Sequence, residues 1–589
     1  MTTVTSHKGT SHKGGEWLTS DVSAAEIFTP ERLSDEHRLV GQTATEFVEK
    51  EVLPQLAQLE TKDWTLARTL IRRAGDLGLL GTDVPEAFGG VALDKAASIV
   101  VGEAIGVSAS FATTFGAQTG LAIIPILCFG TEAQQKHYLP RIVTGEIIGA
   151  YCMSESASGS DALGARARAT RQPDGSWRLN GEKLWITNGG FADMFIVFAK
   201  VDGEQFSAFI VERGFKGVAH GKEEHKMGLH GSSTTPIVLS DAEVPAGNLL
   251  GEVGKGHKIA FNVLNYGRFK LAGMCTGGAK ACIAEAVTYA SARRQFGQPI
   301  ASFGAIRHKL AEMTLRTFAV ESALFRTAGL IDAAIESGAG LAAALEEFAV
   351  ESSVLKVASS EMIGYVVDEN VQIHGGNGFV ADYPAERHYR DARINRIFEG
   401  TNEINRLLVP GMLVKRSAKG LLPIISAAKQ LQDELLGPPA PAPESDDALV
   451  NARRTVSAMK KTALMAIGLS LQAHGEKLQD EQETLMSLAD VIIDVFVAES
   501  AVLRAEQAAG ARATTAALQA DAASVYAHDA GLRVETSVRT LLAALGEGDT
   551  LRTTLAALRR LMKVPPVNTV AARRRIADAV IAKRAYLFA

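Results

Sequence analysis

The apolar residues of this chain change their period twice, and that change limits the fold more than any single motif does. From about residue 30 to 145 they recur at three- and four-residue spacing, as in LSDEHRLVGQTATEFVEKEVLPQL and EAQQKHYLPRIVTG, the signature of helices with one buried face. Between them, SASFATTFGAQTGLAIIPILCFG is small and apolar, and is expected to be a helix buried nearly all round. Around residue 150 the period shortens. WRLNGEKLWI, MFIVFAKV, FSAFIVER and TPIVLSDAEV are short and rich in aromatic and β-branched residues, with turn signals at Pro173-Asp174-Gly175 and Asp202-Gly203. Helix period returns at Ile259 and persists to about Leu436. The pattern predicts a mainly α protein with a central β-domain. Its parts are an N-terminal helical domain at 30–149, an antiparallel, barrel-like middle domain at 150–258 and a helical bundle at 259–436.

GPPAPAPESDD (437–447) is a Pro-rich linker, and the Ala- and Leu-rich residues beyond it predict an additional helical domain at 448–589. Residues 1–29 carry a small duplicated phrase, TSHKGTSHKG, with no apolar core and no arginine before Arg32, and read as a disordered tail rather than a targeting segment. Four cysteines (Cys128, Cys152, Cys275, Cys282) without a CxxC give neither a disulfide framework nor a metal site, which fits a reducing, cytoplasmic setting. The net charge of -5 gives no global sign of nucleic-acid binding. No apolar run reaches about 18 residues, so no membrane span is expected. The segment 552–584 holds nine Lys/Arg against one acid, Asp578. That is either a solvated helix face or a peripheral contact with an anionic membrane surface.

No Gly-x-Gly-x-x-Gly follows a strand, and no Gly-Lys-Ser/Thr is present; GEVGKGHK (251–258) reads as a loop. A dinucleotide would have to be held outside a Rossmann crevice. The stretch RIFEGTNEINRL (396–407) sets one carboxylate, Glu399, between Phe398 and a Gly-Thr pair. By pattern alone Glu399 is either a reactive base or an ordinary acid near a helix start, where acids complement the dipole.

Five phrases occur in order: YCMSESASGSD (151–161), KLWITNGG (183–190), RRQFGQPI (293–300), VQIHGGNGF (371–379) and RIFEGTNEINRL. Together they resemble the acyl-CoA dehydrogenase family over about residues 30–415, and the extra C-terminal region resembles its very-long-chain branch. The resemblance implies FAD between β-domain and bundle, with a partner subunit completing the site. It implies that Trp185 packs on the flavin, that Thr187 bonds its reactive nitrogen, and that Tyr151, Met153 and Ser154 line the ring. Arg293 and Phe296, with Gln372 and Gly376 of the other subunit, match FAD pyrophosphate and adenine contacts. Thr401 and Glu403 match positions near the phosphates and ribose. Ser160, Asn265 and Arg268 match contacts to the CoA arm, and Phe398 and Gly400 flank the substrate. Taken singly, each has an ordinary reading: Trp185 as core, Arg293 and Arg294 as a solvated helix face, Gly375-Gly376 as a helix cap.

Two departures stand out. Ser154-Glu155-Ser156 replaces the family's Thr-Glu-Pro, and SSTT (232–235) stands where many relatives have an arginine. The family reaction removes an α-proton and a β-hydride from an acyl-CoA thioester, and Glu399 stands at the position of its base. A carboxylate against Phe398 and an acyl chain would be desolvated and thus a stronger base toward carbon. Some relatives place the base on the helix that here reads NVLNYGRFKLAG (262–273), at the position of Gly267, which has no side chain. The resemblance therefore implies β-oxidation of long- or very-long-chain acyl-CoA, electrons passing to an electron-transferring flavoprotein, and a homodimer. Gly116 and Ala117 in TTFGAQTG fall near the floor of the acyl pocket, either deepening it or merely permitting close helix packing. The alternative is a non-catalytic relative, an assembly factor or a nucleic-acid or membrane binder.

Overall fold

The computed structural model describes residues 12–438 and 445–588. The chain forms two compact units, and neither is continuous in sequence. One combines Leu33–Gly278 with Phe379–Thr401; the other combines the chain up to Arg32 with Ala279–Gly378 and the chain from Asn402 onward. The first carries the main β-sheet and the second is almost entirely helical. This division departs from the expected borders. The helix Gly256–Ala292 begins in one unit and ends in the other, and the helices expected as a separate domain at 448–589 share a unit with the bundle.

In the sheet unit the helices start where short polar side chains can cap them. Asp63, Asp94 and Thr131 each accept a backbone N–H of the following turn. The apolar stretch at 109–129 is indeed a nearly continuous helix, with a π-turn at Ala117–Ala122. Contrary to expectation, Ala109–Phe129 is long and apolar enough to cross a membrane by length and composition, but 72% of it is buried within the protein, as a core helix is.

The sheet has eight strands: β1 (Gly149–Cys152), β2 (Arg168–Arg171), β3 (Trp177–Thr187), β4 (Met194–Val201), β5 (Gln205–Glu212), β6 (Val218–His220), β7 (Thr234–Val244) and β8 (Leu249–Leu250). Their order is β6-β7-β3-β2-β4-β5-β8, with β1 also on β4. It is neither wholly antiparallel nor a barrel. β1 and β2 pair with β4 in parallel, and among the described residues the outer strands β6 and β8 do not meet. Tight turns force antiparallel pairing, as in β4–β5, whereas β1 and β2 reach β4 through longer connections that permit parallel pairing. The sheet's inner residues Leu179, Phe195 and Phe209 share one core with Phe47, Leu70, Phe111 and Phe115 of the helices.

Buried charges are paired. Lys183, fully buried in β3, places Nζ 2.6 Å from Glu155 Oε1. Burial pushes the Glu155 carboxyl up, but Lys183 and the N–H groups of Arg166 and Ala167 outweigh it and hold the group below its usual range. Glu155 is thus a structural anchor. Lys270 donates to Ser98 Oγ (2.6 Å), and Tyr266 donates to Asp83, which also pairs with Lys95 at 2.8 Å. These contacts fix the first half of helix Gly256–Ala292 against helix Lys95–Ile105.

In the helical unit, Gly304–Glu336, Ala349–His374 and Asn402–Ala418 pack with Gln482–Gly510, which is buried along most of its length. Arg504, fully buried, donates to Glu31, Glu321 and the carbonyl of Phe588. Residues 12–29 are not a disordered tail. Trp17 and Leu18 are buried, Trp17 Nε1 donates to Glu351 Oε1 (2.9 Å), and the Gly15 N–H donates to the same oxygen (2.7 Å). The first eleven residues and linker positions 439–444 lie outside the described residues. Part of the basic segment is paired within the chain: Arg573 with Glu312 and Asp529, Arg575 with Asp521, and Arg560 with the carbonyls of Leu435 and Gly437, while the Arg552–Asp549 pair lies exposed.

Candidate active site

The loop 397–401 carries Glu399 between a 3-10 turn, Arg393–Arg396, and the helix Asn402–Ala418. Glu399 has φ 58°, a left-handed backbone that costs an L-residue about 1–2 kcal/mol. Gly400 beside it has φ 80°, which a glycine adopts freely. Arg268 maintains the turn: its Nε donates to the Glu399 carbonyl at 3.1 Å, and its Nη1 to Asn265 Oδ1 at 3.1 Å. Arg268 is buried, and burial lowers its pKa to about 10 against the opposing pull of Glu399. Arg268, which the resemblance places on the CoA arm, also holds the backbone of the carboxylate loop, and Asn265 accepts from it.

The carboxylate of Glu399 lies against a residue of the facing helix that has no side chain, Gly267. A Cβ built on Gly267 would sit 2.6 Å from Glu399 Oε2 and 2.8 Å from its Cδ. The two positions at which relatives carry the base therefore come together in space, and a β-carbon at 267 would make the Glu399 carboxylate shift. Tyr151 of β1 is also close by: burial and the charge of Glu399 both push its hydroxyl well up.

Trp185 is not core. It sits where the register of β3 against β7 slips between Lys183 and Ile186, with φ 56° and 59% of its surface exposed. A bulge re-aims a side chain out of the ladder, and an exposed tryptophan held in a strained conformation is a platform waiting for a flat partner. The Ser154 carbonyl accepts from the Leu184 N–H at 2.9 Å, bringing the end of β1 beside the bulge, and the carbonyl of Met153 accepts from Lys183 Nζ. Thr187, half-buried, pairs with Thr234. The SSTT departure thus builds the neighbouring strand, and Ser233 Oγ accepts the Gly190 N–H at 2.9 Å. Ser160 is exposed. Phe398 and Thr401 are half-buried on either side of the Glu399–Gly400 pair.

The remaining residues lie in the helical unit. Arg293 is not on a helix face: the helix stops at Ala292, and a hairpin follows, β9 (Arg294–Gln295) and β10 (Gln298–Pro299). Phe296, at its tip with φ 49°, is 93% exposed, and Arg293 is exposed beside it. Gln372 and Gly376 are exposed around the end of helix Ala349–His374; a Cβ on Gly376 would meet nothing within 4 Å. Tyr289 stacks on His374 at 4.0 Å and accepts from Asn377 Nδ2, fixing that turn. Glu403 is exposed in the first turn of its helix.

Sequence reasoning missed two positioning residues. Asn188, buried with φ 64°, donates to the carbonyls of Thr114 and Gly149, tying the Trp185 turn to the helix Ala109–Gly116 and to β1. Its Asn-Gly pair is a turn signal that could have revealed it. Asp391 accepts the Leu229 N–H at 2.6 Å, and burial pushes its carboxyl up to about 6.

A strained carboxylate facing a side-chain-free helix position, with an exposed indole on a bulged strand, defines the class: an enzyme built for proton abstraction beside a planar group. Family models then identify it. The acyl-CoA dehydrogenase N-terminal, middle and C-terminal domains match residues 34–146, 150–242 and 254–411, and a further acyl-CoA dehydrogenase C-terminal domain matches 458–560. The chain belongs to the acyl-CoA dehydrogenase family. It is 45% identical over 584 residues to a probable acyl-CoA dehydrogenase of Bacillus subtilis, covering 98% of both chains. It is 41% identical over 345 residues to the very long-chain specific mitochondrial enzyme of Homo sapiens, covering 57% of this chain and 51% of that one. A crystal structure of an acyl-CoA dehydrogenase complexed with FAD from Bacillus anthracis superposes with a TM-score of 0.96 at 44% identity, over 98% of this chain and 100% of that one.

Proposed function

We propose that this chain is an FAD-dependent dehydrogenase that converts long-chain saturated acyl-CoA to trans-2-enoyl-CoA in fatty-acid oxidation, delivering the electrons to an electron-transferring flavoprotein. The observation that carries the reading is the fit of the Glu399 carboxylate onto Gly267. It sets the Glu399 carboxylate against the alternative base position, where this chain has no side chain to act as a second base.

FAD fits the residues present. Trp185 offers an exposed flat face and Thr187 a hydroxyl two residues on. Arg293 can fork onto phosphate oxygens, and the open backbone at Gly376 allows close approach of a phosphate or sugar. When bound, FAD accepts the β-hydride of the substrate. The protein's own task is the α-proton. Glu399 takes it as a carboxylate, leaving the acyl chain with a new Cα=Cβ bond once the hydride has gone. The Glu399 N–H, beside the reacting carboxylate, would donate to a thioester carbonyl whose oxygen gains negative charge as the proton leaves. Arg268 holds that turn through the Glu399 carbonyl.

Glu399→Gln should keep FAD and lose reduction by acyl-CoA, because an amide cannot accept the proton. Loss of a general base costs about 10²–10⁴-fold. Anaerobic stopped-flow bleaching of the flavin at a near wild-type rate would remove Glu399 from the role. Chain length is the second test. Small residues at Gly116 and Ala117 keep the far end of the acyl groove apolar, and each buried methylene adds roughly 0.8 kcal/mol. A kcat/KM series should therefore peak at about twelve carbons or longer, an extrapolation of that increment. A maximum at butyryl- to octanoyl-CoA, or on a branched substrate, would refute the long-chain assignment.

A further inference from the structure

The helix Gly256–Ala292 presents Gly267, Leu271 and Met274 at i, i+4 and i+7, one stripe of its surface. The Glu399 carboxylate lies on this stripe at Gly267. Seven residues further, at about 1.5 Å per residue, the stripe has risen about 10.5 Å and reaches Met274. The apolar helix opposite runs antiparallel to it: a Cβ built on Gly120 would lie 3.6 Å from the ring of Tyr266, and Gly116 faces Met274. A Cβ built on Gly116 would lie 2.9 Å from Met274 Cε and 3.6 Å from its sulfur. The space that Gly116 leaves is therefore not empty. The thioether end of Met274 fills it.

An acyl chain whose reacting carbon sits at Glu399 and which follows this stripe advances about 1.25 Å per carbon, from a C–C bond of about 1.5 Å at about 111°. It meets Met274 after roughly eight carbons. We propose that Met274 is a movable stop in the acyl groove, closing it against the glycine at 116 when the chain is short and swinging aside for a longer one. Methionine suits this use. Its side chain is unbranched, turns about three bonds and accepts many packings at similar energy. A leucine or phenylalanine in the same place would be a fixed wall. Met274 is only partly buried. The π-turn at Ala117–Ala122 immediately follows Gly116, and such insertions occur often at functional sites in helices.

This inference rests on the long-chain reading above and assigns the residue that sets the limit. The test compares wild type, Met274→Ala and Met274→Phe, each isolated as the FAD holoenzyme. The quantity read is the ratio of kcat/KM on palmitoyl-CoA to that on octanoyl-CoA. The Kd ratio of the corresponding trans-2-enoyl-CoA products, followed by flavin absorbance, reads groove depth without turnover. Each methylene kept out of an apolar site costs about fourfold, so Met274→Phe should lower both ratios by about tenfold or more. Met274→Ala should raise them. If Met274→Phe does not hold FAD, Met274→Ala decides alone. A wild-type optimum at octanoyl-CoA or shorter sinks the long-chain reading but not the stop, since Met274→Ala would still lengthen the optimum. A long-chain optimum with the same ratios in every variant that holds FAD overturns the stop and leaves the long-chain reading standing.

Discussion

Among single residues, the decisive pair is one side chain and one missing side chain. The carboxylate of Glu399 occupies the volume that any β-carbon at 267 would claim, and Arg268, the next residue, pins the Glu399 backbone so that the loop cannot simply retreat. Gly267→Ala should therefore displace the carboxylate rather than the loop. A misplacement of about 1 Å can cost about 10²-fold in rate. The expected result is a yellow protein with normal FAD content and a flavin reduction rate lowered by about that factor, seen in anaerobic stopped flow. Reduction within about twofold of wild type would mean that the packing has no catalytic consequence. Glu399 stood out in the sequence because a motif surrounds it, whereas Trp185, a lone tryptophan on a strand, reads by pattern more often as core. What resolves Trp185 is a register slip between strands about fifty residues apart in the chain, and no local pattern records that. The roles of Asn188 and Asp391 were missed for the same reason, although the Asn188-Gly189 pair marks the turn itself. Each acts through partners remote in sequence: Thr114 and Gly149 for the one, Leu229 for the other.

For whole elements, period was a good guide and composition a poor one. The change from helix to strand near 150 and back near 259 places the sheet correctly, because burial of one face is what sets both periods. The hairpin after Ala292 was read as helix, although Phe296-Gly297 at its tip and Pro299 behind it break any helical run. The N-terminal segment was read as disordered because its polar repeat dominates the count, while two residues, Trp17 and Leu18, do the packing. Trp17 also carries a donor to Glu351, a buried carboxyl whose pKa burial raises. Trp17→Ala should remove about 3–5 kcal/mol of local stability, as for other buried aromatic truncations. Thermal melts and limited proteolysis should both register it, by a lower Tm and early cleavage before residue 30. Unchanged melting and protection would show the segment to be a passenger.

For the assembled protein, several residues assigned to FAD are left uncovered by their own chain. Phe296 is 93% exposed, and Gln372 and Gly376 are exposed as well. We expect a homodimer in which the partner covers them, with the helices of 448–588 restricting further association. Sedimentation equilibrium at micromolar protein should give twice the chain mass, and a tetramer would refute this. The helical unit has a different consequence, one for synthesis. Arg504 is held both by Glu31, near the start of the chain, and by the carbonyl of Phe588, at its end. The clasp at Arg504 cannot close until Phe588 has been made. At about 5–20 residues per second, the more than 550 residues between these contacts take roughly half a minute to two minutes to make. Trp17 waits less long: Glu351, its hydrogen-bond acceptor, follows 334 residues later, and until then the nascent chain presents a greasy N-terminal strap to whatever chaperone meets it first.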